Sequence, residues 1–265
     1  MIHGWIPPQR FFAYLSWQEV DSLPDKKNTV IIQPLGAIEQ HGYHLPLVVD
    51  AAISQGVLGK ALSLLPSEIP AFALPTLYYG KSNEHDGFPG TISISSQTLS
   101  SLLMEVGESI YKAGFRKWIM FNSHGGQPQI LEIVARELHQ LYPDFAIFPF
   151  FSWRVATVTN ELLTPKEREW GIHAGDAETS LMLALLPEWV KMELAVREYP
   201  PVFSDLLSLE GKFPFAWLTR EISKSGVIGD ATAASREKGE KILSDLATGW
   251  VRVITEVYHF NPGNC

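Results

Sequence analysis

Cysteine is almost missing from this 265-residue chain: there is one, Cys265, at the last position. A single thiol cannot form an internal disulfide, and it rules out a zinc site built from several cysteines. Long apolar runs are missing as well, and none approaches the roughly 20 residues that a membrane-spanning helix needs. The opening stretch, MIHGWIPPQRFF, has two prolines and no extended apolar core, unlike a secretory signal. These scarcities point to a cytoplasmic protein with no membrane partner. Basic residues are outnumbered: Lys and Arg total 21 against 29 Asp and Glu, for a formal net charge of -8. That balance disfavours nucleic acid and anionic membranes, which are held by Lys and Arg. Repeats and low-complexity tracts are also lacking.

Core-forming residues are plentiful. Hydrophobic residues make up 46% of the chain and charged residues 19%, a globular balance that excludes disorder. Short apolar strand-like runs alternate with amphipathic helical ones. TVIIQP (Thr29 to Pro34), the stretch Ala71 to Tyr79, KWIMFN (Lys117 to Asn122) and Phe145 to Phe151 read as extended. Ala51 to Leu65, Ser96 to Ala113, Gln127 to Leu141, Ala177 to Leu186 and Ser235 to Tyr258 read as helices, with Gly114 as a C-terminal cap. Thr164-Pro165-Lys166-Glu167 has the form of a capping box. This order predicts an α/β fold with a mostly parallel central sheet and helices on both faces. In such sheets a site lies beyond the carboxyl ends of the strands.

Four polar clusters are candidates for it. GAIEQHGYHLP (36–46) follows the first strand and leads to Asp50. NEHDGFPGT (83–91) follows the second extended run, NSHGGQ (122–127) ends the third, and HAGDAETS (173–180) runs into a helix. Imidazole and carboxylate together suit Zn, Mn or Fe(II). Glu39 and His41, one residue apart, point the same way in an extended segment. Asp50 can fold back beside them, glycines flank His124, and Glu178 opens a helix that aims it inward. Each of these residues, taken singly, is as readily a hydrogen-bonded or solvated one. Clustering favours a metal, because five of the eight histidines fall in these motifs. His3, His139 and His259 stand in plain contexts and read as structural. Trp153 and Trp170 are readable as pocket walls or as core. The irregular 200–229 stretch, with Phe203, Phe213, Phe215 and Trp217, reads as a pocket cover or a subunit contact.

GAIEQHGYHLPLVVD, FPGTISI, NSHGGQ, HAGDAETSLML and ATAASREKGEKI, in this order, resemble the creatininase (creatinine amidohydrolase) family from about Pro34 to Lys241. The resemblance implies one three-layer α/β/α domain over 1–265, a dinuclear centre of two divalent ions, and a homo-oligomer such as a hexamer. It implies Glu39, His41, Asp50, His124 and Glu178 as metal ligands. Asp50 would bridge, with Glu39 and His124 on one ion and His41 and Glu178 on the other. It makes His173 the active-site histidine. The implied reaction is amidohydrolase attack by a metal-bound hydroxide on a C–N bond of a small amide, commonly a non-peptide, cyclic one. His173 is then the candidate for proton transfer to the leaving nitrogen, and His85 is a second candidate, a substrate contact or a group that shapes the FPG loop. Creatininase carries a Tyr-Glu pair where this chain has Gly125-Gly126, and Asn where it has Gln127, which argues against creatinine as the substrate. The alternatives on this scaffold are a formamide deformylase, a peptidase, a lactone or ring hydrolase, and a non-catalytic metal-binding protein. An isomerase or lyase could use the same ligand types.

Overall fold

The computed structural model describes residues 1–202 and 204–261, so Phe203 and Cys265 lie outside the described residues. After the short helix α1 (Trp17–Asp21) the chain enters strand β1 (Val30–Leu35), followed by α2 (Val49–Leu64), β2 (Ala71–Ala73), α3 (Ser96–Lys112), β3 (Lys117–Asn122), α4 (Pro128–Leu141) and β4 (Ala146–Phe151). The four strands form one parallel sheet in the order β2-β1-β3-β4. Val30 stands opposite Ala71 on one side and Lys117 on the other.

All six residues of β1 and of β3 are buried, as expected of parallel strands covered on both faces. Successive side chains go to opposite layers. Val30, Ile32, Ile119 and Phe121 join the core beneath α2 and the two later helices α7 (Asp176–Leu185) and α9 (Arg236–His259). Ile31, Leu35, Trp118 and Met120 join the core beneath α3 and α4, with Leu99, Leu103, Leu131 and Leu138. Each fully buried Ile or Phe contributes roughly 1.5–3 kcal/mol. The result is the expected three-layer α/β/α sandwich with a parallel sheet.

The helices end where their sequence signals place them, to within about two residues. Ser95 caps α3 by accepting from Thr98 N at 3.0 Å. Gly114 ends that helix with φ 100. Ser235 caps α9 by accepting from Lys238 N at 3.2 Å. One strand is shorter than its pattern. The run Ala71 to Tyr79 pairs only over Ala71–Ala73, with an isolated bridge from Leu35 to Leu77. Pro34 interrupts the ladder between them, because it has no N–H to give on the β2 side; its carbonyl still accepts from Leu77 N at 3.0 Å.

Between β4 and α9 the chain makes α5 (Thr159–Leu162), α6 (Pro165–Trp170), α7, the two-residue strand β5 (Arg197–Glu198), α8 (Thr219–Ile222) and β6 (Gly229–Asp230), with β5 and β6 antiparallel. Part of the 200–229 stretch has a small core of its own: Phe215 and Trp217 pack against Leu209, Ile222 and Ile228. Val202, Leu206, Leu207 and Phe213 remain exposed. No helix among the described residues is long and apolar enough to cross a membrane.

Candidate metal centre

All four polar clusters meet beyond the carboxyl ends of β1 and β3. Gly36 makes the first approach possible: a Cβ there would lie 2.4 Å from Ala51 N. Only glycine lets β1 exit so close against the first turn of α2, and this closeness sets Asp50 beneath Glu39 and His41. His124 follows β3 directly. Its backbone N–H donates to Asn122 Oδ1 at 3.1 Å, and Asn122 Nδ2 donates back to its carbonyl at 2.7 Å.

The fourth cluster arrives on a strained turn. Ala174 has φ 54, the one positive value at a non-glycine residue among those described. Such backbone costs on the order of 1–3 kcal/mol and persists where its surroundings enforce it. Here it aims the Ala174 N–H at Glu178 Oε2, 2.6 Å away. Glu167 holds the turn from behind. It accepts from Asp176 N at 2.8 Å, Asp230 N at 2.9 Å and Tyr199 OH at 2.9 Å. Burial raises its carboxyl pKa against the pull of those donors.

Glu39, His41, Asp50 and His124 are buried, and Glu178 is half-buried. His124 Nδ1 lies 3.0 Å from Asp50 Oδ2 and 3.3 Å from Glu39 Oε2. His41 Nε2 lies 3.4 Å from Asp50 Oδ1. Glu178 groups with His41 and His173, their ligand atoms all within 4.8 Å of one another. Glu39 Oε2, Asp50 Oδ2 and His41 Nε2 have no hydrogen-bond partner although buried. Orphaned buried atoms of this kind are rare and need an explanation. A cation between them supplies one, since all are hard or borderline donors with lone pairs facing inward. His41 is prepared for the role: its Nδ1 donates to Glu39 O at 3.1 Å, which leaves the Nε2 lone pair inside.

The electrostatics agree. Burial opposes the Glu39 carboxylate, yet His124 and His85 outweigh it and hold its pKa well below the usual range. Burial also opposes a charged His41, and Asp50, Glu178 and Glu39 still raise it to about 9. His124 is raised well above the ordinary value in the same way, chiefly by Glu39 and Asp50 acting against burial. Burial lifts Glu178 to about 7, against the pull of His41. Clustered carboxylates thus make strong demand for positive charge, which protons or a metal can meet.

The two histidines nominated for proton transfer take different places. His41, His173 and His85 form a stack, with 4.2 Å between the centroids of successive rings. His173 Nε2 donates to Gln40 O at 2.7 Å, which turns Nδ1 toward the cage, 3.9 Å from Glu39 Oε1. Burial and the neighbouring His41 and His85 hold its pKa well below the ordinary value, so the ring is neutral. His85 Nδ1 accepts from Gln40 Nε2 at 2.8 Å, which puts its proton on Nε2, 3.3 Å from Glu39 Oε1. The tautomer follows from Gln40 Oε1 accepting from Gly42 N at 2.9 Å, which turns the amide nitrogen toward His85.

Sequence reasoning nominated neither Glu84, which lies against His124, nor the orienting Gln40. It read Glu167 as the second half of a capping box. Thr164 does accept from Glu167 N at 3.2 Å, but the Glu167 side chain leaves its own helix for the Ala174 turn. His139, bonded to Phe145 O at 2.9 Å, stands apart from the cage, as do His3 among Phe11 and Tyr14 and His259 at the end of α9. Trp153 packs against the α2–α9 core, and Trp170 is half-buried at the end of α6. The 200–229 stretch supports the site from one side: Thr219 Oγ1 lies 2.9 Å from His85 Nδ1, and Gly226 O accepts from Gln40 Nε2 at 3.1 Å.

Fold, buried cage and motifs together define a metal-binding hydrolase of the α/β/α type. The model of the creatininase (creatinine amidohydrolase) family matches residues 13–254, and this chain belongs to that family. It is 31% identical over 222 residues to the mycofactocin precursor peptide peptidase of Mycolicibacterium smegmatis, covering 83% of this chain and 82% of the relative. It is 29% identical over 262 residues to the creatinine amidohydrolase of Pseudomonas putida, covering 94% and 97%. A zinc–zinc form of a creatininase mutant superposes with a TM-score of 0.73 at 26% identity, covering 94% of this chain and 98% of that one.

Proposed function

We propose that this chain is a two-metal amidohydrolase that cleaves a non-peptide C–N bond in a small amide, cyclic amides foremost. The observation that carries the reading is the divided aim of Asp50, with Oδ2 toward His124 at 3.0 Å and Oδ1 toward His41 at 3.4 Å. A carboxylate whose two oxygens serve two separate nitrogens suits a pair of neighbouring cations. Glu39 and His124 complete one site, and His41 and Glu178 complete the other. The zinc–zinc form of the structural neighbour supports a paired site. Zinc, manganese and iron(II) all suit this donor set.

Bound there, two such ions supply a Lewis acid for the scissile carbonyl and make a water acidic enough to attack at neutral pH. The protein's own groups handle the protons. His173, neutral and locked by Gln40 O, presents Nδ1 as the base that takes a proton near the cage and returns it to the leaving nitrogen. His85 serves a different end: through Nε2 it fixes Glu39, one of the ligands.

Creatinine is a poor substrate in this reading, because Gly125-Gly126 replaces the Tyr-Glu pair. A peptide bond is the second reading. The peptidase relative favours it, and so does the space at Gly125, where a Cβ would meet nothing within 4 Å. The reading also places the enzyme in the cytoplasm as one catalytic domain within a homo-oligomer, whose size light scattering measures.

Elemental analysis after metal supplementation tests the centre. About two divalent ions per chain are expected, and one or none overturns the paired site. Glu178→Gln should abolish turnover and cost one ion, with the fold intact by circular dichroism. Activity surviving that change would show that the ligands are wrongly assigned. A screen of cyclic amides, formamides, lactones and short peptides decides the bond class. Turnover confined to peptides would sink the non-peptide reading, and creatinine turned over as fast as the best substrate would sink the argument from Gly125-Gly126.

A further inference from the structure

Glu84 lies on the second motif, in a 3-10 turn (Asn83–His85), and its side chain crosses to the third. A Cβ on Gly126 would sit 1.6 Å from Glu84 Oε1 and 2.6 Å from His124 Nε2. The carboxylate therefore occupies the room that any side chain at position 126 would take. Lys81 secures it there: Lys81 Nζ donates to Glu84 Oε2 and to Gly126 O, at 3.1 Å each. Glu84 Oε1 is buried, has no hydrogen-bond partner, and lies 3.3 Å from His124 Nε2. His124 turns its other nitrogen, Nδ1, to Glu39 and Asp50, while Nε2 faces Lys81 O at 2.8 Å.

We infer that Glu84 is a positioning carboxylate of the metal centre, seated in the space of Gly126 and acting through His124. Lys81 O holds the proton of His124 on Nε2, and the Glu84 charge beside it makes Nδ1 a stronger electron-pair donor toward the cage, as second carboxylates behind ligating imidazoles do. The carboxylate that Gly125-Gly126 removes from this edge is thus supplied from another part of the chain. The inference rests on the metal reading above.

Chelator-competition titration of zinc against the wild type, Glu84→Gln, Glu84→Ala, Gly126→Ala and two double variants tests it without using activity. Glu84→Gln and Glu84→Ala are expected to weaken binding about 10–100-fold. Gly126→Ala should do the same by expelling Glu84 and crowding His124 Nε2, so it should cost less in the Glu84→Ala background, where only the contact with His124 remains, than in the wild type. Glu84→Ala combined with Gly126→Glu should regain part of the lost affinity, because the carboxylate returns from the other side. Wild-type affinity in Glu84→Gln overturns the inference, as do additive losses or no rescue. Should Gly126→Ala fail to fold, the isosteric Glu84→Gln and the rescue variant still decide. A wild type that binds no zinc defeats the metal reading itself, which is a separate outcome.

Discussion

His44 illustrates how single residues around the cage are tuned. It follows His41 by three positions, its Nε2 meets Thr179 Oγ1 at 2.8 Å, and its Nδ1 is buried without a partner. Burial first, and then the charge on His41, lower its pKa from 6.5 to about 4. The folded chain therefore binds fewer protons here than the unfolded chain over that interval. The stability His44 contributes is fully present above 6.5 and is lost as the pH falls through about 4. In chelator-treated protein, His44→Gln should flatten the acid side of the stability curve. Urea unfolding at about pH 4.5 and about pH 7 measures this as the difference between the two midpoints, wild type against variant. Equal midpoint differences in both proteins would contradict the assigned shift. The convergence of Glu39, His41, Asp50, His124 and Glu178 was legible in the sequence because each stands in a compact polar motif that contains glycine or at a helix start. Glu84 was not, although its motif was. Nothing in the order of residues reveals that the room beside Gly126 is open, or that a side chain some forty positions earlier fills it.

Helices and strands set the distances that those residues exploit. The crossing of α7 and α9 is the tightest case. A Cβ on Gly239 would lie 1.8 Å from Ser180 O, so the two helices touch backbone to side-chain position. Asp176 and Lys238 join the same pair by an ion pair at 2.5 Å, and Ser180 Oγ donates to Asp176 Oδ1 at 3.0 Å. Gly239→Ala must push the helices apart. Overpacking of this kind costs roughly 1–3 kcal/mol or more, which thermal melting reads as a fall of several degrees. Because α7 carries Glu178, zinc affinity should fall in parallel, and an unchanged melting point would refute the close contact. Most elements followed from periodicity: β3 spans Lys117–Asn122 as read, α3 departs by one residue at one end and α9 by one residue at each end. The exceptions have local causes. β2 stops at Ala73 because Pro34, on neighbouring β1, has no N–H to donate, although the apolar pattern runs on to Tyr79. Glu167 matched a helix-start pattern while serving a turn that follows its helix, a role that depends on tertiary packing.

At the scale of the whole molecule, the cage is where segments from β1, β3, the second motif and α7 converge. Buried carboxylates and imidazoles of uneven charge sit between them, so a bound cation should brace the entire fold. Metal at a hundredfold excess over its Kd adds about 2.7 kcal/mol. For a chain of this size that corresponds to roughly 5–11 °C in Tm. Scanning calorimetry with and without chelator should find a shift of this order, and no shift would mean that the folded and unfolded chains bind metal alike. The parallel topology has a consequence for how the protein is made. Glu39, His41 and Asp50 leave the ribosome within one short stretch. His124 comes only after a further helix and strand, and Glu178 after most of the chain. With these residues as ligands, the nascent protein would carry a loose three-ligand claw long before it had a closed one. Tight capture of a metal would then wait for α7 to dock, which would make metal uptake one of the last steps of biosynthesis.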